Sequence, residues 1–332
     1  MSEKREYGYV AAIRDAIRDR MEADERAIVI GIDVGLAGGP FTATRGLLEE
    51  FGEERVIDTP IAESGFLGAA VGAAMGGLHP MVELMYFDFL GVCLEPLLNQ
   101  AAKISYMSAG RIKVPLVLRT QMGGGGSSAA QHSQNLETIV AHIPGLKVVA
   151  PAMPDDAYGL LQTAFEDPGP VVYVEHRELY RVRRGERPPS SHRVPFGSAR
   201  VVRPGGDLTI VSYSRGLHRA LEAAEVLAER GREAEVIDLR CLAPLDFDTV
   251  ATSVARTNRA LVIHDAVRAF GVGAEVAARI SDECFDLLDA PVGRIGAPTS
   301  PSPFAPSLEA AYLPSSGSIV AAAEELLEGA AR

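Results

Sequence analysis

The chain has 332 residues, more than one ordinary domain needs, and two domains of about 150 residues each are the natural expectation. Apolar residues make up 47%, enough for buried cores, and the net charge of −12 excludes nucleic acid and anionic membranes, which want a basic face. No apolar run reaches the roughly 18–20 uncharged residues of a membrane helix. Residues 1–6 carry no apolar stretch of a secretion signal. Cys93, Cys241 and Cys284 are far apart and odd in number, as reduced core thiols are. These features point to a cytoplasmic protein.

In chain order, a helix is expected over 10–21, a strand over 27–33, and a strand over 56–59 that ends at the turn of Pro60. Glu63 follows, a lone acid ahead of the small and apolar run 64–77. Such an acid is costly unless it is hydrogen-bonded or functional. The ordinary reading is a carboxylate at a helix N-terminus, which gains about 0.3–1 kcal/mol from the dipole, and the residues alone leave both readings open. Gly68, Gly72 and Gly76 recur every fourth residue in this segment. A helix face without bulk packs closely against another backbone, either of a second subunit or of the chain's own sheet.

Strands over 81–86 and 114–119 flank a helical stretch over 90–107. The run Gly123-Gly124-Gly125-Gly126 completes neither a phosphate-binding loop nor a dinucleotide fingerprint, and no Lys-bearing helix start follows it. It reads as a mobile loop, with a phosphate cradle as the alternative. The loop leads into Gln131-His132-Ser133-Gln134-Asn135. His is suited to moving protons near neutral pH, and functional residues favour loops held by rigid scaffolds, although a lone His is often structural. Strands over 147–150 and 171–175 bracket a helix over 155–166. Strands over 208–212, 234–238, 260–263 and 292–295 then alternate with helices over 216–229 and 273–284.

This alternation is the pattern of an α/β fold with two parallel-sheet domains and helices on both faces of each sheet. The basic, Pro- and Ser-bearing stretch 183–206 reads as a linker between a first domain, 1–182, and a second, 207–332. Gly271-Val272-Gly273 completes no fingerprint, the seven His lack metal-ligand spacing, and neither a Gly-x-Ser-x-Gly elbow nor a His-Glu-x-x-His pair occurs.

Several longer motifs occur together and in order. They are Asp58-Thr59-Pro60-Ile61-Ala62-Glu63 with Gly65-Phe66-Leu67-Gly68, Tyr106-Met107-Ser108-Ala109-Gly110, Gln131-His132-Ser133-Gln134, and Pro144-Gly145-Leu146-Lys147-Val148-Val149. In the second half come Glu235-Val236-Ile237-Asp238-Leu239-Arg240 with Pro244-Leu245-Asp246, and Gly271-Val272-Gly273-Ala274-Glu275. Over nearly its full length the chain resembles the β subunit of thiamine-diphosphate-dependent 2-oxo acid dehydrogenases, the decarboxylating first components of the pyruvate, branched-chain 2-oxo acid and acetoin complexes. The resemblance implies a transketolase-like pyrimidine-binding domain followed by a transketolase C-terminal domain. It implies that Glu63 hydrogen-bonds the cofactor's aminopyrimidine, that Met85 and Phe89 line the pyrimidine pocket, and that His132 donates a proton during acyl transfer to lipoamide. It further implies a potassium site built from the main-chain carbonyls of Leu116, Ala164, Asp167 and Gly169.

The family holds the diphosphate and its magnesium with a Gly-Asp-Gly motif and a later Asn on the α subunit. This chain has Gly205-Gly206-Asp207, which is not that motif, so the resemblance implies a site shared with an α subunit in an α/β heterotetramer, and a lipoyl acyltransferase core as a further partner. Three positions depart from the family's pattern. Ile32 stands where a Glu is usual, Glu95-Pro96 replaces Asp-Gln within a helix, and His264-Asp265 stands where an acidic residue directly follows a strand. The departures keep two alternatives in view: a thiamine-dependent carboligase or acyl-anion transferase without a lipoyl acceptor, and a non-catalytic assembly subunit.

Overall fold

The computed structural model describes residues 6–329, so the reading of the N-terminal segment lies, but for Glu6, outside the described residues. The first half runs α1 (Tyr9–Ala23), β1 (Ala27–Gly31), α2 (Leu47–Phe51), β2 (Val56–Asp58), α3 (Glu63–Met75), β3 (His79–Leu84), α4 (Leu90–Glu95), α5 (Ile104–Met107), β4 (Val117–Met122), α6 (Glu137–Ala141), β5 (Lys147–Val149), α7 (Pro154–Glu166) and β6 (Val171–His176). The second half runs β7 (Arg200–Arg203), β8 (Leu208–Ser212), α8 (Ser214–Glu229), β9 (Ala234–Asp238), β10 (Cys241–Ala243), α9 (Phe247–Thr257), β11 (Ala260–Val267), α10 (Val272–Glu283), β12 (Gly293–Ala297), α11 (Pro306–Tyr312) and α12 (Ser316–Glu328). The chain divides into two compact units, Met1–Met122 with Ile139–Phe196, and Gly123–Thr138 with Gly197–Arg332. Residues 123–138 thus cluster with the C-terminal unit, although they fall within the first stretch of the sequence division.

In the first unit the strands lie in the order β5-β6-β4-β3-β1-β2, every pair parallel. β1, β4 and β6 are buried along their whole length, so none of them alternates between a buried and an exposed face. α1 buries Tyr9, Ile13, Ala16 and Ile17, spaced three and four apart on one helical face, and packs chiefly against α7. β1 connects to β2 on one side and β3 to β4 on the other, so the connections run in opposite directions from a crevice between β1 and β3. In open parallel sheets that crevice, at the carboxyl ends of the strands, is where ligands bind.

The second unit holds a five-stranded sheet in the order β12-β11-β8-β9-β7. Its pairs are parallel except β7 with β9. β7 falls inside the stretch read as linker; a short Arg-Val-Val-Arg edge strand, half exposed, carries no apolar run to announce it.

One expectation for a helix meets a different outcome, and a second loses one of its two readings. The stretch 90–107 is not one helix. Cys93 leaves helical geometry, and Pro96 opens a π-helical turn, Pro96–Ala101, before α5 begins. Proline lacks the N–H that would continue the ladder, and the wider turn absorbs the break. The glycine stripe of α3 does not pack within the chain: a Cβ on Gly68 or Gly72 would meet nothing within 4 Å. Close helix–sheet packing is therefore not the reason for those glycines.

Candidate active site

At the carboxyl edge of the first unit, β2 ends at Asp58. Its carboxylate accepts the main-chain N–H of Gly35 at 2.7 Å and of Leu36 at 3.1 Å, which pins the segment after β1. A Cβ on Gly35 would lie 2.8 Å from Asp58 Oδ2, so only glycine allows this approach. The Thr59 N–H donates to the Gly31 carbonyl at 2.9 Å, and the chain turns through Pro60 to place Glu63 first in α3. Glu63 is 7% exposed. Among the described residues its carboxylate has no hydrogen-bond partner. Such a buried acceptor gains from any N–H donor that reaches it. Cys93 lies close by; burial first, and then the charge of Glu63, push its thiol up to about 12, so it is no nucleophile.

Met85 and Phe89, both half-buried, follow β3 at the same edge and flank the turn Phe87–Phe89, whose Phe87 is buried in the core. The Met85–Tyr86 peptide is cis. Ile32 emerges from β1 here, buried and without a titratable group. Strand order therefore brings Glu63, Met85 and Phe89 to one edge of one sheet.

Behind that edge sits a charge cluster that the sequence reading did not anticipate. Arg119 on β4 donates to Glu175 of β6 through Nε, and through Nη2 at 3.1 Å, and to Glu83 of β3 through Nη1. The Gln121 amide donates to Glu83 at 3.1 Å, and the Tyr180 hydroxyl donates to Glu175. The two carboxylates and the guanidinium are 0–1% exposed. Burial pushes the Glu175 carboxyl up against the pull of Arg119, and it drives the Tyr180 phenol well above its ordinary value. The available signal was a charged residue in the middle of each apolar strand, a costly placement unless the charges meet.

Leu116 precedes β4, while Ala164, Asp167 and Gly169 lead from α7 towards β6, at the amino edge of the sheet, opposite to Glu63. The Leu116 carbonyl accepts the Val171 N–H at 2.9 Å, and the Ala164 carbonyl accepts the Asp167 N–H at 3.3 Å. A carbonyl oxygen has a second lone pair, so both retain capacity for a cation. The Asp167 side chain is engaged elsewhere, accepting from Lys147 Nζ at 2.7 Å on both oxygens and from the Gly169 N–H at 2.9 Å. Among the described residues, no group of three His, Cys, Asp or Glu side chains could hold a metal.

His132 belongs to the second unit, separate from the unit of Glu63. It stands in a loop closed at its neck by the Gly123 N–H donating to the Gln134 carbonyl at 3.3 Å. Gly123, Gly125, Ser127 and Ala129 all have positive φ, between 52° and 94°. This alternation turns main-chain N–H groups inward as an anion nest. The anion is the chain's own: Gly125 and Ser127 each donate at 2.9 Å to one oxygen of the Glu309 carboxylate. The four-glycine run is therefore not a phosphate cradle. Nothing in the sequence links Glu309, on α11, to a loop more than 180 positions earlier. A cavity of about 370 Å³ opens beside the loop, lined by Ala130, Ser133, Asn135, Asp265 and Ser302 among others.

After the loop, the fully buried Glu137 accepts from the Tyr213 hydroxyl at 2.5 Å, and burial pushes its carboxyl up. His264 lies inside β11, and its ring explains two glycines of Gly271-Val272-Gly273. A Cβ at Gly271 would come within 2.5 Å of the ring, and one at Gly273 within 2.3 Å. The adjoining Asp265 is paired with Arg215 at 3.1 Å.

The matches to known proteins agree with this geometry. The transketolase pyrimidine-binding domain model matches residues 5–183, and the transketolase C-terminal domain model matches 197–319. The chain is 45% identical to the acetoin:2,6-dichlorophenolindophenol oxidoreductase subunit beta of Bacillus subtilis, covering 95% of this chain and 96% of that protein. It is 42% identical to the pyruvate dehydrogenase E1 component subunit beta of the same organism, and 42% identical to its 2-oxoisovalerate dehydrogenase subunit beta, each covering 96% of this chain and 98% of the relative. A solved structure titled split gene transketolase, inactive beta4 tetramer, superposes with a TM-score of 0.78 at 24% identity, over 97% of this chain and 99% of that one, and so shares the fold. The chain belongs to the β-subunit family of the thiamine-diphosphate-dependent 2-oxo acid dehydrogenases of pyruvate, branched-chain and acetoin type, built of a transketolase pyrimidine-binding domain and a transketolase C-terminal domain.

Proposed function

We propose that this chain is the β subunit of a cytoplasmic thiamine-diphosphate-dependent 2-oxo acid dehydrogenase, carrying out oxidative decarboxylation of a 2-oxo acid with acyl transfer to a lipoyl group, active with an α subunit in a heterotetramer. The observation that carries this reading is Glu63, a largely buried residue whose carboxylate has no partner among the described residues, at the carboxyl edge where a parallel sheet offers its crevice. The donor it lacks is what an aminopyrimidine ring supplies. Met85 and Phe89, at the same edge, offer the apolar surface for that ring. When bound, the cofactor supplies the electron sink for decarboxylation. Glu63 holds and shares a proton at the pyrimidine, and His132 delivers a proton during acyl transfer.

In this reading the magnesium that accompanies the diphosphate belongs to the α subunit, since Gly205-Gly206-Asp207 is not the family's Gly-Asp-Gly motif. Potassium would rest on the carbonyls of Leu116, Ala164, Asp167 and Gly169, as a structural ion away from the chemistry. Two features support a partner chain: the open glycine face of α3, and exposed Val92, Tyr106 and Met107 on the helical segments that follow β3. A lipoyl acyltransferase core is the expected wider assembly.

Two relatives named as acetoin oxidoreductase subunits, at 45% and 44% identity, favour acetoin as a second substrate reading. Co-expression with the α subunit, followed by dichlorophenolindophenol reduction with pyruvate, branched 2-oxo acids and acetoin, tests both. Dye reduction that depends on thiamine diphosphate and on a 2-oxo acid is expected. Reduction with acetoin alone would transfer the assignment to the second reading, and none with any of them would refute both.

A further inference from the structure

We propose that Glu309 is a positioning residue: its carboxylate fills the nest of the glycine loop and so holds His132 where it acts. The proposal rests on the reading of His132 as the proton donor in acyl transfer. Four consecutive glycines give the backbone of residues 123–126 more freedom to lose on ordering than any other residues would. Within the loop the neck bond between Gly123 and Gln134 closes the ends, and it leaves the arc between them to be fixed. Glu309 fixes it from outside, with one oxygen on the Gly125 N–H and the other on the Ser127 N–H, both at 2.9 Å. Hydrogen bonds from N–H groups to a carboxylate are roughly twice as strong as neutral ones.

The contact is built rather than incidental. Glu309 is 4% exposed, on α11, and Leu313 packs one turn further on. Both face Gly124, where a Cβ would lie 3.2 Å from Glu309 Oε1 and 3.4 Å from a Leu313 methyl. Glycine at 124 thus permits the close approach, and the left-handed Gly125 and Ser127 that follow it aim their N–H groups at the acid. The requirement is for an acid. Two donors need two acceptor oxygens, and a glutamine offers one oxygen and an amide N–H set against a donor.

The test uses the complex with the α subunit, comparing wild type, Glu309→Gln, His132→Ala and the double variant. Hydrogen exchange of the peptide spanning 123–129 is followed by mass spectrometry, beside acyl transfer to a lipoylated domain. With Glu309→Gln, exchange in that peptide should rise at least about tenfold, and transfer should fall. The double variant should transfer no more slowly than His132→Ala alone, because a loop that lacks its His has nothing left to misplace. Gly124→Ala, which crowds the carboxylate, should give a weaker form of the same change. Exchange at the wild-type rate in Glu309→Gln would overturn the proposal. So would a double variant slowed by the product of the two single losses. A wild-type complex with no transfer to the lipoyl domain would defeat the functional reading instead. Exchange needs no turnover, and it would still decide whether the carboxylate orders the loop.

Discussion

At the scale of single residues, the partners of each acid decide what it does. Glu63→Gln should fold and assemble normally, because the wild-type carboxylate makes no hydrogen bond within the described chain that the amide would break. It should lose about 10²–10⁴-fold in turnover, since an amide cannot share the proton. Exchange of the cofactor's thiazolium proton, followed by NMR in the complex, checks the role; exchange at the wild-type rate would remove Glu63 from it. His264 makes a different prediction. Burial holds its imidazole down at about 4, and the unfolded chain has an ordinary His near 6.5. Between those values the unfolded state binds the extra proton, so stability falls as the pH drops from about 6.5 towards 4, by about 3 kcal/mol in total. Urea unfolding at pH 7 and pH 4.5 should show His264→Gln losing less across that interval than wild type, whatever its stability at pH 7. Glu63 stood out in the sequence as a lone acid ahead of a long apolar run, which left a helix-capping role open as well. Glu309 did not, because its partners are main-chain N–H groups far away in sequence, which leave no trace in side-chain identity.

At the scale of elements, buried parallel strands were legible and their edges were not. β8 and β9 fall where the β-rich runs predict them, since strands covered on both faces are rich in Val, Ile and Leu. β7 was missed because half-exposed Arg200 to Arg203 needs no such pattern. Pro96 marked the point at which the expected helix breaks, although the π-helical turn that repairs the break depends on tertiary packing. The glycine stripe of α3 was legible as a pattern, but its purpose was not. Gly72 is exposed, and a Cβ there meets open space, so Gly72→Leu should raise the stability of the isolated chain by up to about 1 kcal/mol through helix propensity. The same substitution should prevent assembly if that face receives a partner's backbone. Sedimentation of the variant mixed with the α subunit checks this; a normal complex would show that the stripe is not an interface.

At the scale of the whole molecule, the chain carries two sheets, and the proposed function gives it the apolar, carboxylate-bearing part of a site; no group of three His, Cys, Asp or Glu side chains among the described residues could hold a metal. A protein with net charge −12 meets a diphosphate unfavourably unless a cation intervenes. The central claim is therefore that catalysis belongs to a shared site. Calorimetric titration with thiamine diphosphate and magnesium, on this chain alone and on the complex with its α subunit, tests it most directly. No saturable binding to the isolated chain and tight binding to the complex are expected. Micromolar binding by this chain alone, at one site per monomer, would contradict it.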